Sequence, residues 1–121
     1  MNRREQGFIA EQKAADYLSS EGFSILDRNF QYRGGEIDIV AKSKDGCICF
    51  VEVKSASGAG WGDPIFNVTG KKQKQIGRVA EVWLAKNGVT DTSCRFDAVS
   101  VVGDKVTHYP DAFRIVGPAF F

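Results

Sequence analysis

Residues 35–54 read GEIDIVAKSKDGCICFVEVK, and their pattern decides what kind of sheet the chain builds. Ile37, Ile39 and Ala41 alternate with Glu36, Asp38 and Val40, while Cys49, Val51 and Val53 alternate with Phe50, Glu52 and Lys54. Period-two alternation predicts two half-buried strands, and Lys44-Asp45-Gly46 between them carries a turn signal. A two-residue Asp45-Gly46 turn would set Asp38 opposite Val53. The apolar row of one strand would then share a face with the polar row of the other, which a sheet with one buried face does not tolerate. A loop with an odd residue count, such as three residues with Gly46 in a bulge, restores agreement. It places Ile37 opposite Val53, Ile39 opposite Val51 and Ala41 opposite Cys49. The same register brings Asp38 opposite Glu52 and Glu36 opposite Lys54, so hydrophobic matching alone gathers three carboxylates and one ammonium on one face.

Facing carboxylates repel and destabilise a strand pair. A hard divalent cation offsets that cost with oxygen ligands. The plain alternative is a solvated face on which Lys54 neutralises its neighbours.

The remainder of the chain bounds the class of protein. At 121 residues it has the length of one domain, 1–121, with room for a core. An apolar fraction of 43% and a charged fraction of 26% are those of an ordinary globule. The net charge of +1 excludes a global basic field, so any nucleic-acid binding must come from a local patch. No stretch has the length of a membrane span, and MNRREQGF lacks the apolar core of a signal peptide. Cys47, Cys49 and Cys94 show no zinc spacing, and the single histidine, His108, offers no partner. Reduced, packed thiols in a cytoplasmic protein are expected.

Outward from the hairpin, residues 3–20 predict a helix with an apolar stripe of Phe8, Ala14 or Ala15, and Leu18, joined by Ile9 and Tyr17, stopped by Gly22. Glu11, one turn before Ala15, reads by periodicity as a solvated helix residue. Residues 23–32 predict a strand, with Asn29 as an interruption. Gly34-Gly35 allows unusual backbone and close approach to a ligand. Residues 55–63, with three glycines, form a loop beside the charged face. Thr69 caps a helix running to Lys86 with Ile76, Val79, Ala80, Trp83 and Leu84 inward, and Asn87-Gly88 ends it. The cations at its start oppose the helix dipole; Lys71, Lys74 and Arg78 recur at helical spacing, the arrangement that phosphate binding requires. Residues 93–102 are a further strand, residues 106–109 a short return strand, and the tail from Asp111 through Pro118 to Phe120-Phe121 irregular. The order is α-β-β-β-α-β-β, an α/β fold with a single mixed sheet flanked by helices.

An acid on one strand, Asp38, followed by Glu52-Val53-Lys54 on the next resembles the PD-(D/E)xK nuclease signature. That superfamily includes restriction endonucleases and Holliday-junction resolvases. The chain is similar over nearly its whole length to the YraN-like family of small bacterial proteins. The similarity runs through Gly7, Glu11, Ala14, Leu18, Gly22, Ile25-Leu26, Asn29, Gly35-Glu36-Ile37-Asp38, Phe50-Val51-Glu52-Val53-Lys54, Val68-Thr69, Lys72 and Phe96-Asp97. Ala56 stands where that family often has a basic residue, which removes a phosphate contact but leaves the acids untouched. The resemblance implies a restriction-endonuclease-like fold and a metal-dependent nuclease acting on DNA, including branched or damaged structures. Asp38 and Glu52 would hold Mg²⁺ or Mn²⁺ with the Val53 carbonyl, Glu11 and Glu36 as further ligands, and Lys54 would orient water or stabilise charge. Lys71, Lys72, Lys74 and Arg78 would contact nucleic acid, and two-strand cleavage would imply a homodimer. The competing expectations are a nucleic-acid-binding module that does not cleave, and a structural or interaction domain.

Overall fold

In the computed structural model, which describes residues 2–56 and 70–114, the elements run α1 (Arg3–Ser20), β1 (Ser24–Tyr32), β2 (Gly35–Lys42), β3 (Ile48–Ala56), α2 (Gly70–Lys86), β4 (Cys94–Val102) and β5 (Lys105–Phe113). This is the predicted order. The sheet is ordered β1-β2-β3-β4-β5. Only β3 and β4 pair in parallel, and a parallel pair needs a crossover, which contains α2. The glycine-rich residues 57–63, the Thr69 cap and the terminal Phe120-Phe121 lie outside the described residues.

The hairpin closes with an odd loop. Ser43 N–H donates to Cys47 O at 2.9 Å and Gly46 N–H to Ser43 O at 3.0 Å, leaving Lys44-Asp45-Gly46 as the turn. Gly46 sits at φ 90°, a conformation costly for any residue with a Cβ. Ile39 pairs with Val51 and Ala41 with Cys49, as hydrophobic matching requires.

The strands are not half-buried, however. α1 covers one face, in a cluster of Ala10, Ala14, Ala15 and Leu18 with Ile39, Ala41, Cys49, Val51, Val99 and Val101. α2 covers the other, where Ile76, Val79, Ala80 and Trp83 pack on Ile37, Val40, Ile48, Phe50 and Phe96. The apolar run Ile48-Cys49-Phe50-Val51 therefore fills two cores at once, as strands between helix layers do.

The inward stripe of α1 is small. Phe8 and Ile9, expected in it, are exposed; alanines at 10, 14 and 15 bring the helix close to the sheet and leave those larger residues outside the contact. At the end of α2, Val89 N–H donates to Leu84 O and Gly88 N–H to Ala85 O, with Gly88 at φ 63°. This is the left-handed stop expected of Asn87-Gly88.

β5 continues to Phe113, so Asp111 belongs to a strand rather than to an irregular tail. The reason is an irregularity: the β4–β5 register shifts between Phe96 and Ala98, and Asp111 takes φ 52°. Its N–H, turned from the ladder, donates to the fully buried Asp97 carboxylate at 2.9 Å. His108 joins the same group, its Nε2 lying 2.8 Å from Asp97 Oδ2. An ionised carboxylate only accepts, so Nε2 carries the proton. Arg95 adds two further bonds to the same group. Burial pushes the Asp97 carboxyl up, but His108, the Asp111 N–H and Arg95 outweigh it and hold it below its ordinary value.

Candidate active site

The acids collect where β2 begins and β3 leaves the hairpin. The β2–β3 ladder runs from Lys42–Ile48 to Ile39–Val51 and stops there. Beyond it, Val53 N–H donates to the side chain of Asp38, at 2.8 Å from Oδ2. Ile37 packs in the α2 cluster and Ile39 in the α1 cluster. Residues two apart should share a face, so the strand changes face at Asp38. Asn29, between the Arg28–Ile39 and Phe30–Ile37 pairs, takes φ 52° beside it. The expected pairs Ile37–Val53, Asp38–Glu52 and Glu36–Lys54 are thus absent from the ladder. Opposed carboxylates would have repelled; a side-chain acceptor replaces a backbone one instead.

Gly35 fixes this corner to α2. A Cβ there would stand 2.6 Å from Val79 Cγ2, closer than atoms pack. Gln75 Nε2 also donates to Gly34 O at 3.0 Å. The close approach is to a helix and not, as its glycines suggested, to a ligand.

Carboxylate oxygens of Glu11, Glu36 and Asp38 lie within 4.8 Å of one another, and all three residues are half-buried. Glu11 gets there because α1 turns it to the sheet side, between Ala10 and Ala14. Burial raises its pKa above the ordinary value; a bond with Asn29 opposes that, and Glu36 and Glu52 add to it. Burial, and then the Glu52 carboxylate, push Asp38 up to about 8, against the Val53 bond. Gln31 Nε2 donates to Glu36 Oε2 at 2.7 Å.

Glu52, whose charge Asp38 feels, is held by two lysines. Its side chain is 7% exposed and Oε1 receives Lys72 Nζ at 2.7 Å and Lys54 Nζ at 3.5 Å. Burial, and then the neighbouring Lys72 ammonium, hold Lys54 below its ordinary pKa. Burial also works against Lys72, but its bond to Glu52 outweighs this and holds it above. Lys71, Lys74 and Arg78 are exposed along α2. Lys72 is therefore part of the acidic corner rather than of that outer row. Its helical phase, one residue off the 71–74–78 repeat, was the available signal.

Fold and site together define an α/β domain, one mixed sheet between two helices, with a carboxylate and lysine corner at one end. Residues 10–101 match the model of Uncharacterised protein family UPF0102, and the chain belongs to that family. A UPF0102 protein of Trichlorobacter lovleyi is 47% identical over 114 residues, covering 90% of each chain. One of Clostridioides difficile is 42% identical over 115 residues, covering 93% of this chain and 100% of that one. Among solved structures, a chain of the EndoMS-dsDNA2 complex aligns with a TM-score of 0.42 at 16% identity, over 72% of this chain and 34% of that one.

Proposed function

We propose that this chain is a metal-dependent nuclease that hydrolyses phosphodiester bonds in DNA, with branched or damaged structures among its substrates. The observation that carries this is the meeting of Glu11, Glu36 and Asp38 from elements remote in sequence, with Lys54 on the neighbouring strand. The donor set fits a hard divalent cation, being all oxygen and anionic. Burial first, and then neighbouring carboxylates, raise the pKa values of Glu11 and Asp38, and a bound cation would favour their ionised forms. Glu11, Glu36 and Asp38 would hold Mg²⁺ or Mn²⁺, with Glu52 and the Val53 carbonyl as further ligands. Such an ion supplies positive charge to the phosphoryl oxygens and activates water.

The chain's own groups do the rest. Asp38 pins the Val53 amide and so sets where β3 leaves the hairpin. Lys54 donates to the attacking water or the scissile phosphate. Replacing Lys54 with Ala should lower metal-dependent cleavage by about a hundredfold, the scale for one lost charge-stabilising donor. The assay compares duplex, single-stranded and four-way DNA with Mg²⁺ or Mn²⁺. Equal, metal-independent traces for wild type and variant on every substrate would sink the enzyme.

The Lys72–Glu52 bond favours a second possibility, a nucleic-acid-binding module that does not cleave, because it commits Glu52 to ammonium groups. Binding without cleavage would select it.

Lys71, Lys74 and Arg78 would hold flanking phosphates. The acids repel a polyanion, and cations outside the corner offset that field. Removing one cation that neutralises a duplex phosphate lowers the salt slope of binding by roughly 0.9. Lys71→Ala with Lys74→Ala should weaken every sequence alike and flatten the slope by about two units. An unchanged slope would make the row a solvated helix face.

A further inference from the structure

Phe8 is 63% exposed and plays no part in the core that α1 makes with the sheet. Its ring lies over Arg28, with 5.9 Å between the guanidinium carbon and the ring centroid. Arg28 Nη1 donates to Gln12 Oε1 at 2.9 Å. Its Nε and Nη2 are buried and meet no hydrogen-bond partner among the described residues. Buried guanidinium N–H groups left unmet are costly, and each calls for a cause.

The position of these groups supplies one. Phe8, Glu11 and Gln12 are spaced i, i+3 and i+4 and share one side of α1. Glu11 belongs to the carboxylate group and bonds Asn29, the residue after Arg28. The exposed ring, the incompletely bonded guanidinium and the acidic corner are therefore adjoining parts of one surface.

We propose that Phe8 and Arg28 form a subsite for an unstacked nucleobase and its adjacent phosphate, so that the acidic corner acts on single-stranded or locally unpaired nucleic acid in preference to intact duplex. This rests on the nuclease function proposed above and names its substrate class. Any base offers a π-face to an exposed aromatic ring, whereas a base within a duplex has both faces covered by its neighbours. The guanidinium fork matches phosphate oxygens through two N–H groups. The Phe8 ring lies over the guanidinium, and an exposed side chain changes rotamer within picoseconds to nanoseconds, so movement of the ring needs no refolding.

The test uses the full chain with Lys54→Ala, to keep the probe uncut, and a short oligonucleotide carrying 2-aminopurine. The probe is presented single-stranded and fully paired. Binding is read by anisotropy and stacking by 2-aminopurine fluorescence. The single strand should bind about tenfold tighter than the duplex and lose fluorescence on binding. Phe8→Ala should cost about tenfold in single-strand affinity and abolish the quenching, while Phe8→Trp keeps both. Arg28→Lys, which keeps the charge but loses the fork, should weaken the single strand more than the duplex. Duplex binding as tight as single-strand binding, or Phe8→Ala without effect, overturns the subsite and leaves the nuclease function standing. Absence of binding to either probe by the parent overturns both. A changed sedimentation coefficient of free Phe8→Ala with unchanged DNA binding assigns the ring to contact between copies, and overturns the subsite too.

Discussion

Replacing Asp97 with Ala should lower stability by about 3–5 kcal/mol, the range for removing one partner of a buried ionic group. For a chain of this size that is a fall in melting temperature of roughly 10–20 °C. The carboxylate accepts from His108, from Arg95 and from the Asp111 amide, and it is 0% exposed. Alanine leaves all three donors without that acceptor, around a side-chain site that is itself fully buried. Phe23, edge-on to His108 at 5.5 Å and under Arg95 at 5.9 Å, closes that surround. The pH dependence gives a second readout. The Asp97 pKa is held below its ordinary 3.8, so its contribution is present above that value and is lost as pH falls through the folded pKa. Wild type and Asp97→Asn should therefore converge in acid. A melting temperature within a few degrees of wild type at neutral pH would mean that β4 and β5 are held by their ladder alone.

Asp38→Asn should change stability in the opposite sense. Burial and Glu52 raise the Asp38 carboxyl from 3.8 to about 8. Its stabilising contribution is full below 3.8 and is lost as pH rises through about 8. The metal-free protein should lose up to ~1.4 kcal/mol per pH unit across that window, and less where Glu52 shares the proton. Asparagine keeps an oxygen for the Val53 amide and does not ionise, so the variant should show a flat profile there. Adding Mn²⁺ at the alkaline end should restore wild type and leave the variant unmoved, because an ion bound only by the folded state stabilises it. Superimposable melting curves for the two proteins from acid to alkaline pH would show that Asp38 is ordinarily ionised.

The letters carried the hairpin well and the corner less well. Turn parity and apolar matching gave the Ile39–Val51 and Ala41–Cys49 pairs, because a one-residue slip reverses every side chain. The second buried face was also present in Ile48-Cys49-Phe50-Val51, a continuous apolar run that alternation alone undervalues. The change of face at Asp38 was not readable. It depends on a side chain bonding a backbone amide fifteen residues away, and no local propensity encodes that. Glu11 looked solvated by period and reached the acids only because neighbouring alanines bring α1 close to the sheet. Pro110-Asp111 reads as the end of a strand, and only the Asp97 carboxylate, supplied by a different strand, explains why β5 continues past it.

The two outermost strands bear on assembly. β1 has a register break between Ile25 and Asp27 and a left-handed residue at Asn29. β5 has Pro110 and a left-handed Asp111. An interrupted rim is a poor template for another chain's backbone, and such interruptions guard natural sheets against stacking edge to edge. Strand addition between copies is thereby disfavoured, leaving each sheet its own five strands. The same irregularities should keep the folded chain from seeding fibrils at high concentration.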